Sequence, residues 1–328
     1  MNVPRSPRRG LTIGIDARAA DEVPAGRGRV VRELLLALAR RDDPHTYRCY
    51  ARTRWGGPLD ERFTWSLIPS RDPWWHMRAS AAASRSCDVF LSTNSYLPLW
   101  MLRGTPGVPI IYDLVAFEPS MQPNRRSRWI ERVTLGPALR RSPAVLCISQ
   151  ATEQALLSHF PRVRGRTAVA PLGVAQDLEA STEPPSETLP APGFVLAVGT
   201  LEPRKNLPRL VAAYRALPPE LQAAHPLVVV GKLGWDAGET TAALDALGDR
   251  CVRLGYVSDA DLAELYRRCG TFCYPSLGEG FGLPVLEAMA AGAPVVTSNC
   301  SSLPEVGGDA VEYAEPTSVE SISGAGGR

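Results

Sequence analysis

The chain has 328 residues, 45% of them apolar and 21% charged, which is the composition of an ordinary folded protein and excludes global disorder. At roughly 150 residues per domain the length predicts two domains, and no apolar run reaches the ~18 residues of a membrane-crossing helix. The net charge of +2 hides an asymmetry: residues 1–180 carry 26 Arg against 16 acidic residues, whereas residues 181–328 carry 10 basic against 18 acidic ones. A basic half beside an acidic half points to an anionic partner for one of them.

In chain order, LTIGID (11–16), TYRCYAR (46–52), DVFLST (88–93), VPIIYDL (108–114) and AVLCIS (144–149) are short apolar runs that read as strands buried on both faces. Between the first two, GRVVRELLLALARR (28–41) sets Val31, Leu34, Leu35 and Leu38 at helical spacing. Ser149 precedes QATEQALLSHF as a helix N-cap. The Pro-, Ser- and Glu-rich stretch 176–192 reads as a linker, which sets an N-terminal domain at 1–175 and a C-terminal one at 193–328. Beyond it FVLAVGTL (194–201), PLVVVGK (226–232), CVRLGYV (251–257), TFCYPS (271–276) and PVVTSN (294–299) read as strands. NLPRLVAAYRALP, DADLAELYRRCG and PVLEAMAAG read as helices, the first capped by Asn206 and the last closed by Gly292. Strand–helix alternation through both halves predicts an α/β protein with two doubly wound parallel sheets. Ligands of such sheets sit outside the carboxyl ends of the strands, so two facing domains predict a cleft.

Three stretches carry chemistry. In SLGEGFGLPVLEAMAAG (276–292), Gly278, Gly280 and Gly282 separate a strand from a helix, a pattern that admits a phosphate or polyol as well as an ordinary turn. Glu279 between two glycines has little structural reason to be acidic, whereas Glu287, read in the first helical turn, also suits the helix dipole. In VGTLEPRKNLPRL (198–210), Gly199 follows a strand and Arg204-Lys205 precede a helix start, where cations oppose the dipole unless an anion is bound. In GIDARAADEVPAGRGRVVREL, Gly26 and Gly28 precede a helix, but position 31 is Val and the dinucleotide fingerprint fails.

Together these stretches resemble the retaining glycosyltransferases of family 4, with the GT-B fold of two Rossmann-like domains. The resemblance runs from about Ile13 to about Pro316 and is densest over 194–316, where Glu279 and Glu287 match the family's two spaced glutamates. It implies that Arg204 and Lys205 hold the diphosphate of a nucleotide-sugar in place of a metal, so no divalent ion and no cofactor are expected. By the same resemblance Glu287 binds the ribose, and Glu279 contacts the donor hexose. The backbone of Phe281, Gly282 and Leu283 lies near sugar and phosphates, Tyr256 and Val257 lie beside the base, and Gly26 and Gly28 let the first domain close on the phosphates. The implied activity is transfer of a hexose, with GDP-mannose the donor expected, to a glycan or lipid-linked acceptor in polysaccharide or glycolipid synthesis. The alternatives on the same architecture are a catalytically impaired nucleotide-sugar-binding protein and a nucleotide-sugar epimerase.

Two departures stand out. Tyr112-Asp113-Leu114 replaces the subgroup's His-Asp-Leu, and the tail SVESISGAGGR reads as lacking the family's closing helices. The basic segment 123–141 is either a contact for anionic lipid or a solvated helix face. Trp74 to Met77 read as sheet packing or as an acceptor or membrane contact. The basic start has no apolar signal-peptide core behind it, and seven Cys without metal spacing read as buried thiols. A cytoplasmic protein, peripheral at the inner face of the membrane and without a nucleic-acid partner, is expected.

Overall fold

A computed structural model of the chain describes residues 10–23, 26–118, 125–174, 186 and 189–326. It divides into two compact units: Met1–Tyr112, Arg125–Ile148 and Glu153–Ala170 form the first, and Asp113–Asn124, Ser149–Thr152 and Pro171–Arg328 the second. Most of the expected linker, 176–185 with 187 and 188, lies outside the described residues, as do 1–9 at the basic start and the side chains of 125–127.

The first unit is built on seven parallel strands: β1 (Thr12–Asp16), β2 (Thr46–Ala51), β3 (Phe63–Leu67), β4 (Val89–Ser92), β5 (Gly107–Ile111), β6 (Val145–Cys147) and β7 (Thr167–Val169). Their order is β3-β2-β1-β4-β5-β6-β7. Helices cover both faces. On one, Val31 and Leu35 of the helix Arg27–Ala39 pack with Ile15, Tyr47 and Phe63. On the other, Trp75, Ala79 and Ala83 of the helix Trp74–Ser86 pack with Tyr50 and Phe90. Each large side chain buried here contributes about 1.5–3 kcal/mol. Trp75 and His76 are buried whereas Trp74 and Met77 are exposed, so the Trp74–Met77 segment divides between packing and surface. Ser149 caps the helix Gln150–His159 as expected, its Oγ accepting from Thr152 N at 3.0 Å.

The second unit repeats the scheme with six parallel strands: β8 (Val195–Val198), β9 (Leu227–Val230), β10 (Cys251–Gly255), β11 (Thr271–Tyr274), β12 (Val295–Ser298) and β13 (Glu312–Ala314), in the order β10-β9-β8-β11-β12-β13. Gly292 closes the helix Leu283–Ala290: its N–H bonds to Met289 O and Ala293 N–H to Ala288 O, both at 3.0 Å, the paired bonds of a Schellman end.

Two expectations are corrected. The tail, read as lacking closing helices, holds one: Val319–Gly326 is a helix, and Ile322 and Ala325, three residues apart, bury one face in the cluster around Leu207 and Leu210. Asn206 does not cap a helix with its side chain. It adopts φ 60°, its Nδ2 donates to Pro275 O (2.8 Å) and Pro316 O (2.7 Å), and its Oδ1 accepts from Arg209. It ties the loop after β8 to two other loops. All seven Cys are unpaired, and Cys49, Cys147, Cys269 and Cys273 are buried.

Candidate functional site

In the second sheet the strand order reverses between β8 and β11, so the loops leaving these two neighbours open a crevice at their carboxyl ends. Both loops carry charge. After β8, Pro203–Lys205 forms a single 3₁₀ turn that presents Arg204 and Lys205. After β11, residues 275–282 bring Glu279 to meet them. The loops are pinned backbone to backbone, with Leu277 N donating to Arg204 O at 2.9 Å. A side chain on Gly199 would stand 3.1 Å from Lys205 Cε, so this glycine leaves the channel along which the lysine stem runs.

Glu279 is the hub. Its Oε1 accepts from Lys205 Nζ at 2.7 Å, Tyr274 Oη at 2.9 Å and Ser276 Oγ at 2.6 Å, and its Oε2 accepts from Arg204. Arg204 also donates to Gly278 O (2.8 Å) and to Glu202 (2.6 Å), which in turn accepts from Trp235 Nε1. Burial works to raise the Glu279 carboxyl, but the charges of Lys205 and Arg204 outweigh it and hold it at about 2. Burial disfavours the Arg204 charge too, yet Glu279, Tyr274 and Glu202 raise its pKa further.

The donor inventory shows what this cluster can still bind. Lys205 spends one N–H on Glu279 and one on Tyr274 Oη, which leaves one of its three among the described residues. Arg204 likewise keeps Nε–H and one Nη2 hydrogen. Glu279 Oε1 is already filled by three donors. The spare capacity of the site is therefore donating and cationic, suited to a ligand that only accepts.

The family model for group 1 glycosyl transferases matches residues 182–325, and that for glycosyltransferase family 4 matches residues 24–178. O-antigen chain mannosyltransferase B of Escherichia coli is 37% identical over 265 residues, which is 76% of this chain and 67% of that protein. The chain belongs to glycosyltransferase family 4. The serotype-specific mannosyltransferase WbdA of Escherichia coli is 33% identical over 61% of this chain, which spans only 26% of that protein. Among solved structures, Anabaena HepE in complex with UDP-glucose superposes with a TM-score of 0.71 at 17% identity, over 97% of this chain and 89% of that one. The fold is GT-B, as the resemblance implied.

Of the expected site residues of this glycosyltransferase, the structure brings together Gly199, Arg204, Lys205 and Glu279. Gly282, with φ 111°, opens the helix Leu283–Ala290 directly behind them, and Phe281 O accepts from Ser302 Oγ at 2.7 Å. Glu287 departs from its reading. The helix begins at Leu283, so Glu287 lies in the second turn, where the dipole argument for it lapses. It is 4% exposed, and its Oε2 accepts from the buried Tyr266 Oη at 3.1 Å. Tyr256 is half exposed beside Lys232, whose Nζ lies 4.6 Å from the ring centroid, and Val257 packs against the core. In the first unit, Gly26 is the N-cap of Arg27–Ala39, and a side chain on Gly28 would meet Val23 O at 1.7 Å. Close backbone packing within the first unit thus requires that second glycine.

Sequence reasoning missed Tyr274, Ser276 and Glu202, although each adjoins a motif it did use. It also missed the sole Asp-x-Asp triplet, Asp259-Ala260-Asp261. This triplet starts the helix Asp259–Arg268, and Asp261 accepts from Ser186 N at 2.7 Å and Ser186 Oγ at 3.1 Å. Among the described residues no group of three His, Cys, Asp or Glu is placed to hold a metal ion. At the strand ends of the first unit lies a second polar cluster. Buried Arg18 bonds Asp16 through two nitrogens (3.0 and 2.8 Å), reaches Asp72 at 3.2 Å and stacks 3.7 Å from the Trp75 centroid. Tyr112 is half-buried, with Arg27 5.4 Å from its ring centroid, and the burial of its hydroxyl raises that group's pKa.

Proposed function

We propose that the chain is a retaining, metal-independent mannosyltransferase that uses a nucleotide-sugar, GDP-mannose first among them, to extend a glycan or lipid-linked acceptor in O-antigen-type polysaccharide synthesis. The observation that carries the donor reading is the unspent donating capacity of Arg204 and Lys205 beside a saturated Glu279 oxygen. A diphosphate is an acceptor-only, doubly charged ligand, and it pairs with those cationic N–H groups more strongly than a neutral hydroxyl does. The names of the Escherichia coli relatives support mannose and the O-antigen context. In the proposed reaction the bond between the anomeric carbon and the leaving phosphate oxygen breaks, and a bond to the acceptor oxygen forms on the same face. The acceptor proton passes to the leaving diphosphate. Lys205 and Arg204 stabilise the charge that grows on that diphosphate, the role a divalent ion fills elsewhere. Glu279 then acts chiefly by fixing the two cations, with only Oε2 open to a sugar hydroxyl.

We place the reaction at the inner face of the membrane. No helix among the described residues is long and apolar enough to cross one. The helix Arg125–Arg141 exposes Trp129, Ile130 and Val133 among arginines, a surface that suits peripheral contact with anionic lipid.

Lys205→Ala tests the donor reading. It should weaken nucleoside diphosphate binding by about 2–5 kcal/mol, the range for losing one partner of a buried charge pair, and leave the free nucleoside nearly unaffected. Calorimetric titration of GDP against guanosine reads the difference, and equal losses for both would refute the assignment.

A further inference from the structure

Tyr274 closes β11, and its ring is 3% exposed, stacked on Phe272 two residues earlier on the same face of the strand (centroids 5.7 Å apart, planes at 24°). Packing alone would be met by phenylalanine. The hydroxyl does something more. It accepts from Lys205 Nζ and donates to Glu279 Oε1 at 2.9 Å, completing a closed triangle with the 2.7 Å bond between lysine and glutamate. Nζ also lies 4.7 Å from the Tyr274 ring centroid. A lysine ammonium on a four-carbon stem is a freely turning point charge. Here two of its three N–H groups are fixed in separate directions, and a tetrahedral nitrogen with two bonds fixed has its third direction fixed as well. The phenol does not compete as an acid: burial and the Glu279 charge raise its pKa well above 10, so it stays a hydroxyl.

We propose that Tyr274 is a positioning residue for the donor diphosphate, its hydroxyl orienting the Lys205 ammonium so that one N–H remains aimed for the ligand. This rests on the reading of Lys205 as the diphosphate cation. Ser276 provides the contrast. It donates to the same carboxylate oxygen at 2.6 Å, but no bond joins it to Lys205 among the described residues.

The test is a double-mutant cycle read by calorimetry, with GDP, UDP and their free nucleosides as probes, on wild type, Tyr274→Phe, Lys205→Ala and the double variant. Tyr274→Phe keeps the ring and its packing and should weaken the bound diphosphate about tenfold, the worth of one hydrogen bond to a charged group. The nucleoside should bind as in wild type, and in the Lys205→Ala background the same change should cost less than twofold. Ser276→Ala should weaken the diphosphate less than Tyr274→Phe does. Equal losses from Tyr274→Phe in both backgrounds, a parallel loss of nucleoside, or unchanged diphosphate affinity would overturn the proposal while leaving the donor reading in place. A wild-type chain that binds neither diphosphate would overturn the donor reading, and this inference with it.

Discussion

Glu279 sets the charge balance of the site: two cations lean on one carboxylate, and Glu202 compensates the second charge. Its carboxyl is held at about 2 against an ordinary 4.5, so the direction of its pH effect follows. A depressed carboxyl contributes stability that is full above its ordinary value and is lost as pH falls through the folded one. A shift of this size corresponds to about 3 kcal/mol, released between pH 4.5 and about 2. Glu279→Gln should therefore flatten the acid limb of the unfolding free energy in that window, measured by urea denaturation at a series of pH values. An unchanged slope would mean that the carboxylate is not paired in solution. The residue scale is also where the sequence was least complete. The alternation of glycine with Glu279, and the Arg204-Lys205 pair, marked the site. Nothing in the sequence showed that the three charges meet one another, because the reading assigned Arg204 and Lys205 to the diphosphate and Glu279 to the hexose.

At the scale of elements, the clearest revision concerns the tail. Ser, Gly and Ala dominate SVESISGAGGR, and that composition concealed Val319, Ile322 and Ala325, whose spacing of three suits one helical face. Ile322→Ala should cost about 2–4 kcal/mol, because the side chain is 2% exposed against the helix Leu207–Arg215. Chemical denaturation reads the cost, and a change below about 0.5 kcal/mol would show that the helix is not docked. The strands divide in a related way. Ten of the thirteen were legible as apolar runs, and the three missed ones, β3, β7 and β13, all lie at sheet edges. An edge strand is paired on one side only and tolerates polar residues, as FTWSL and EYA do, so it lacks the continuous run that marked the inner strands. Inner strands fix the crevice between β8 and β11, which is why the place of the site could be read although three edges could not.

For the whole molecule, the charge asymmetry between the halves and the exposed Trp129, Ile130 and Val133 lead to one expectation about surfaces. The protein should co-sediment with vesicles containing phosphatidylglycerol and far less with pure phosphatidylcholine. Added salt and Trp129→Ser should each reduce that binding. Equal binding to both vesicle types would remove the electrostatic part of the membrane proposal. The function proposed for the molecule turns on whether the second unit uses a nucleotide-sugar through Arg204 and Lys205. The most direct measurement is release of nucleoside diphosphate from a panel of nucleotide-sugars, GDP-mannose among them, by the purified chain and by Lys205→Ala, each with and without EDTA. The predicted result is release from at least one donor, unchanged by EDTA and lost in the variant. Release from no donor, or equal release by the variant, would contradict it.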